Sequence, residues 1–244
     1  VYAKLDESLE QNILEKLKSE KVEVLALSLV QWTNGIAVDM EFLKSLKSDF
    51  PDLIIIADGT QFCGAFDFDF DASGIDILGA SSYKWLLAGF GNGFFLFKED
   101  MAQRFAPMAV GYNTASEPKE LGDHIRFSKY FEPGHQDSFN FGSLKFALES
   151  LTEIGMPEII DQNQKLQKHA RISFTELGLL DSDVVNRKSH STIFNIKGTD
   201  QMYQHLVDNN VVCSQRGAGI RLSFHFYNTE NEIDQIVEIV KRKI

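Results

Sequence analysis

Long apolar runs are missing from this chain of 244 residues. The longest candidates, such as residues 53–57, have the length of a strand and fall far short of the ~18 residues needed to cross a bilayer as a helix. The opening Val1-Tyr2-Ala3-Lys4-Leu5-Asp6 has neither the basic start nor the apolar stretch of a secretory signal. Cysteine is scarce: Cys63 and Cys213 cannot build a disulfide framework, and a reduced, cytoplasmic compartment is the default expectation. Basic charge is short as well, with 24 Lys and Arg against 35 Asp and Glu, a formal net charge of −11. Such a chain is repelled by a phosphate backbone, so neither a nucleic-acid partner nor a membrane is expected. A local cationic pocket for a small substrate is still compatible with an acidic protein. The six His and two Cys show no zinc spacing. Internal repeats and low-complexity tracts are absent.

What is present is enough apolar residue, 43% of the chain, to bury a sizeable core. Ser8-Leu9-Glu10-Gln11 reads as a capping box opening a helix through residue 18. Residues 22–30 form a near-continuous apolar run, as in a strand covered on both faces. Asn34-Gly35 marks a turn, and Asp39 caps a helix over 40–49. Further strands are expected at 53–57, 75–80 and 94–97, and strands alternating with helical crossovers imply an α/β, largely parallel sheet. Residues 107–134 read as a long, partly irregular connection, followed by helices over 138–153 and 157–177. The last part reads as a small α+β unit, with strands at 191–196, 211–213 and 220–226. A second capping box, Thr229 to Glu232, opens a terminal helix. The expected division is a large domain over 1–160 and a small one over 161–244.

Ligands of open α/β sheets bind at the carboxyl ends of strands. Three such ends carry polar side chains here: Gln31, then Asp58 and Gln61, then Ser81, Tyr83 and Lys84. Each has an ordinary reading, because Asp-Gly is a turn dipeptide and a lone lysine is usually a solvated charge. Together they bring a carboxylate, a primary amine and hydroxyls to one sheet edge. Pyridoxal-phosphate chemistry uses that set: a lysine amine for covalent attachment and proton movement, a carboxylate to keep the pyridine nitrogen protonated, and hydroxyls for the phosphate.

At these residues the chain resembles the class V aminotransferase superfamily of fold-type-I pyridoxal-phosphate enzymes. Its members include cysteine desulfurases, isopenicillin-N-epimerase-like proteins and kynureninases. Ala57-Asp58-Gly59-Thr60-Gln61 is similar to the family's Asp-x-x-Gln element. Ser81-Ser82-Tyr83-Lys84-Trp85-Leu86-Leu87 is similar to its cofactor-lysine element, with glycines 89, 91 and 93 following. Arg221-Leu222-Ser223 is similar to its carboxylate-binding arginine element. The resemblance implies that Lys84 forms the Schiff base, Asp58 pairs with the pyridinium nitrogen, and Gln61 bonds the ring hydroxyl. It further implies that Ser81 and Tyr83 bind phosphate and that Arg221 forks onto the substrate carboxylate. By the same resemblance, Gln31 is expected in a loop that approaches the cofactor, and His135 in a segment that reaches the phosphate of a neighbouring subunit. The implied fold is a mostly parallel large domain plus a small α+β domain. The resemblance covers the later two-thirds of a family member, so an upstream segment is expected to be missing.

The leading expectation is an aminotransferase-like enzyme acting on a small amino acid as a homodimer. A lyase or epimerase of the same superfamily is the alternative within it. A catalytically silent relative acting as a binding protein is the alternative outside it. Gly89-x-Gly91-x-Gly93 precedes a strand and lacks dinucleotide-fingerprint spacing. Asp67-Phe68-Asp69-Phe70-Asp71 lacks the glycine and glutamate of a calcium loop. Cys63 and Cys213, the latter within an expected strand, read as packing residues.

Overall fold

The computed structural model describes residues 1–115 and 127–243; part of the expected 107–134 connection lies outside them. Four strands make the larger sheet: β1 (Val24–Ser28), β2 (Ile54–Asp58), β3 (Ile77–Ser81) and β4 (Gly93–Phe97), side by side in chain order. β1, β2 and β3 are parallel and β4 is antiparallel, so the sheet is parallel-rich with one reversed edge. Ser28 is in register with Asp58, and Asp58 with Gly79. The polar ends of three strands therefore meet at one edge because the register leaves them no stagger.

Helices α1 (Leu9–Ser19) and α2 (Met40–Asp49) fall where the apolar spacing puts them. Asp39 caps α2 by accepting from the Glu41 N–H at 2.9 Å. The expected cap of α1 does not form. The Ser8 side chain makes no cap bond, and its N–H donates instead to Asp6 Oδ1 at 2.9 Å. β1 is also less covered than its apolar run implies: Val24 is 43% exposed. It is an edge strand, and one of its faces lines an open groove. The β2–β3 crossover carries no regular helix. Phe62 stacks on Phe66 at 4.8 Å, and Phe68 meets Phe62 edge-on at 5.5 Å, filling with rings the space a helix would cover.

After the short helices α3 (Met101–Arg104) and α4 (Tyr112–Ala115) come α5 (Ser138–Ile154) and α6 (Met156–Glu176), broken by Gly155 at φ +100°. The expected domain boundary near residue 160 lies inside the continuous α6. Past α7 (Ser182–Val185), the small sheet is fully antiparallel, in the order β5 (Ile193–Lys197), β7 (Gly219–Ser223), β6 (Ser214–Arg216). The strand expected at 211–213 is displaced to β6, because Gln215 and Arg216 are the residues that pair with Ile220 and Gly219. Cys213 consequently stands just ahead of the strand. Helix α8 (Asp200–Asp208), unforeseen in the sequence, is capped by Thr199 and buries Met202 and Leu206. The terminal helix α9 (Glu230–Lys241) opens with the expected capping box, Thr229 and Glu232 bonding each other's backbone N–H. One apolar cluster runs through both sheets, from Leu9, Ile55 and Leu78 to Phe174, Phe194 and Val240. Among the described residues no helix is long and apolar enough to cross a membrane.

Candidate active site

Asp58 ends β2 with its carboxylate partly held. Oδ1 accepts from the Thr60 N–H at 2.9 Å, and the Ser28 hydroxyl of the neighbouring strand approaches Oδ2 at 3.4 Å. Thr60 in turn accepts from the Ser81 N–H at 3.1 Å, which ties the second and third strand ends together. Gln31, Asp58, Thr60 and Ser81 line one open cavity of about 1520 Å³. Gln31 is fixed by its backbone, its N–H donating to the Ile36 carbonyl and its own carbonyl accepting from Gly35.

Gln61 is buried, and its Oε1 accepts from the Trp85 indole N–H at 2.9 Å. That contact fixes which way the amide faces: the oxygen is engaged, and the NH₂ remains for a ligand. The Trp85 ring stacks on His225 at 4.9 Å, and His225 is sandwiched between it and Tyr227, stacked at 4.5 Å. Burial pushes His225 down to about 4, and hydrogen bonding to the backbone carbonyls of Trp85 and Lys84 opposes the shift.

Lys84 sits in a loop that is braced at both ends. The Ser82 N–H donates to the Asn92 carbonyl, and the Ala88 N–H to the Ser82 carbonyl. The Asn92 amide donates to the Ala88 carbonyl and, at 2.8 Å, to the Asn140 carbonyl of α5. Leu87 is held at φ +57°, a conformation that a leucine adopts only when its surroundings impose it. Burial lowers the Lys84 pKa, Arg221 lowers it further, and Asp58 opposes them. The amine therefore lies within the electrostatic reach of both candidate partners.

The remaining expected residues divide. Arg221 is half-buried on β7, donates Nη1 to the Trp32 carbonyl at 3.1 Å and holds its guanidinium over the Trp32 ring. Tyr83 is exposed, with its ring stacked on Phe90 at 5.2 Å and Lys84 Nζ 5.7 Å from its centroid. His135 is exposed and stacks on Tyr112 at 5.5 Å; no contact among the described residues links it to Asp58, Lys84 or Arg221. Three residues that the sequence reading passed over, Thr60, Trp32 and Trp85, make the contacts that join the motifs. Only Thr60 and Trp85 carried a signal, by standing inside motif segments.

The donor set fits pyridoxal phosphate: a carboxylate at a strand end, an amine with a depressed pKa, a buried amide with free N–H groups, and a cation beside them. The fold defines the class, fold type I of the pyridoxal-phosphate enzymes. A cysteine desulfurase from Thermococcus onnurineus superposes with a TM-score of 0.84 at 18% identity, covering 100% of this chain and 66% of the other. An alanine–glyoxylate aminotransferase from Nostoc superposes with 0.73 at 18% identity, covering 95% and 64%. The chain belongs to the aminotransferase class-V family, whose model matches residues 2–236, and pyridoxal phosphate is that family's cofactor. Curated relatives include a probable cysteine desulfurase of Borreliella burgdorferi, 24% identical over 95% of this chain and 60% of the relative. Isopenicillin N epimerase of Amycolatopsis lactamdurans is 27% identical over 78% and 52%. The chain thus spans at most about 60% of the length of these relatives.

Proposed function

We propose that this chain carries the cofactor and substrate residues of an aminotransferase-like enzyme for a small amino acid, with Lys84 as the attachment amine. The observation that carries this reading is the meeting of the Asp58 and Ser81 strand ends, tied through Thr60, beside the Lys84 loop, with Arg221, 137 positions further on, near enough for its charge to depress the Lys84 pKa. Bound pyridoxal phosphate would supply an electron sink for charge developing at the substrate Cα. Asp58 would hold the proton on its ring nitrogen, and Gln61, its oxygen occupied by Trp85, would donate to the ring hydroxyl. Ser81 and Tyr83 would contribute to the phosphate site, with Gln31 approaching the ring. The lowered Lys84 pKa favours the neutral amine, which can attack a carbonyl and move a proton. Arg221 would hold the substrate carboxylate through its planar fork.

A thiol-dependent desulfurase is less well supported. Burial raises the Cys213 pKa, and burial followed by Asp58 raises Cys63 to about 11, so neither is poised as a thiolate. A lyase or epimerase without a thiol nucleophile remains the second reading, resting on the names of the relatives. The silent-relative reading is opposed by the intact set of Asp58, Gln61, Lys84 and Arg221. A homodimer in the cytoplasm, completed across the interface near His135, belongs to the same proposal, as does a large and small unit meeting near residue 160. Incubation with pyridoxal phosphate, borohydride reduction and peptide mass spectrometry test the core of it. Label at Lys84, lost in Lys84→Ala, is expected. Undiminished labelling of that variant at other lysines would refute the assignment.

A further inference from the structure

Two guanidinium groups share one indole. The Cζ of Arg221 lies 5.8 Å from the Trp32 ring centroid, and the Cζ of Arg216 lies 5.9 Å from it. Arg221 is tied to the Trp32 carbonyl, whereas Arg216 Nη1 donates only to the carbonyl of its own neighbour Gln215, at 2.8 Å. Among the described residues no carboxylate forms an ion pair with either arginine, in a chain that carries 35 Asp and Glu. The two carry like charges, and Arg216 depresses the Arg221 pKa, second to burial.

The position of Arg216 is built. It ends β6 opposite Gly219, and its carbonyl accepts from the Asn195 side chain of β5 at 3.0 Å. Gly217 turns the hairpin at φ +56°, and a Cβ on Gly219 would come within 2.5 Å of Asn195 Oδ1. The strand can close so tightly only with glycine there. Arg221 stands toward Lys84, which feels its charge. Arg216 reaches the same half-exposed indole from the hairpin tip. A ligand with one anionic group on each arginine would offset that repulsion and complete two charge-assisted forks.

We infer that the site selects amino acids carrying a second anionic group, dicarboxylic amino acids being the simplest class, with Arg221 on the α-carboxylate and Arg216 on the distal group. The inference rests on the reading of the Lys84 site as an amino-acid site. Trp32 is the ring that both guanidinium groups approach.

The test titrates the protein loaded with pyridoxal phosphate with L-aspartate against L-asparagine and L-glutamate against L-glutamine, with L-alanine as reference. Binding is followed by the change in cofactor absorbance. The acid is expected to bind about tenfold more tightly than its amide in at least one pair. Arg216→Gln should shrink that ratio to about twofold or less, and Arg216→Lys should restore part of it. Equal affinities within both pairs, with alanine still binding, would overturn this inference and leave the proposed function standing. An acid-over-amide ratio that survives Arg216→Gln would also overturn it. A loaded protein that responds to no amino acid would overturn both readings.

Discussion

The Trp85 indole N–H donates to Gln61 Oε1 at 2.9 Å, joining two segments 24 residues apart inside a buried space. One hydrogen bond thereby sets which way the Gln61 amide faces in the proposed cofactor site. Trp85→Phe keeps the ring stacked near His225 but leaves the Gln61 carbonyl without its donor. The expected cost is about 1–3 kcal/mol of stability. A several-fold weaker affinity for pyridoxal phosphate should accompany it, since the amide is then free to flip. Denaturant melts and a cofactor titration, run side by side, measure both.

Lys84 should react ahead of ordinary surface lysines. Burial and Arg221 lower its pKa, so a larger fraction is neutral near pH 8. Competitive labelling with an amine reagent, analysed by peptide mapping, should show Lys84 modified faster than exposed Lys21 or Lys145. Arg221→Gln removes one of the two lowering influences, so the rate should fall at the same pH.

Arg187 forks onto Glu10, with Nη1 to Oε2 at 2.6 Å and Nη2 to Oε1 at 2.7 Å, and also donates to the Ala37 carbonyl. Burial pushes the Glu10 carboxyl up, but Arg187 and the Asp39 N–H outweigh it and the net direction is down. The stabilisation is therefore present above the unfolded carboxylate value and is lost as pH falls through the lower folded one. Arg187→Ala removes a buried guanidinium and strands the partly buried Glu10 carboxylate, and should cost about 3 kcal/mol at pH 7. The difference from wild type should narrow in melts below pH 4.

His190 and His225 both fall to about 4, chiefly through burial; two facing carbonyls oppose the shift at His190. Their unfolded value is higher, so the unfolded chain takes up protons first. Stability should fall as pH drops from about 6.5 toward 4, by up to about 1.4 kcal/mol per pH unit for each group. Urea melts at pH 7, 6 and 5 trace the slope, and His225→Phe should make it shallower.

Thr229 caps α9, and the helix buries Ile233, Ile236, Val237 and Val240. Thr229→Ala should destabilise the protein by about 1 kcal/mol, and Thr229→Ser by much less. Thermal melts of the two variants separate the lost hydroxyl from any change in packing.

Spacing along the chain was a good guide where one element settles its own form. α2, α5 and α6 lie within a residue or two of their expected ends, and α9 starts at its expected cap, because 3.6-residue periodicity and the caps Asp39 and Thr229 are local. It failed where the partner decides. The shift from 211–213 to Ser214–Arg216 follows from pairing with β7, and the missing helix between β2 and β3 follows from rings that pack on one another.

The sequence by itself determined the family and the cofactor, and it singled out Asp58, Gln61, Lys84 and Arg221 for the proposed site, because those residues stand in short motifs whose chemistry is carried by side-chain type. Tertiary structure alone decided how they are placed. The register that levels Ser28, Asp58 and Gly79, the amide pinned by Trp85, and the two arginines gathered on Trp32 all depend on contacts across long stretches of chain. No local pattern encodes such contacts, since their energy comes from burial and from charges that meet only after folding.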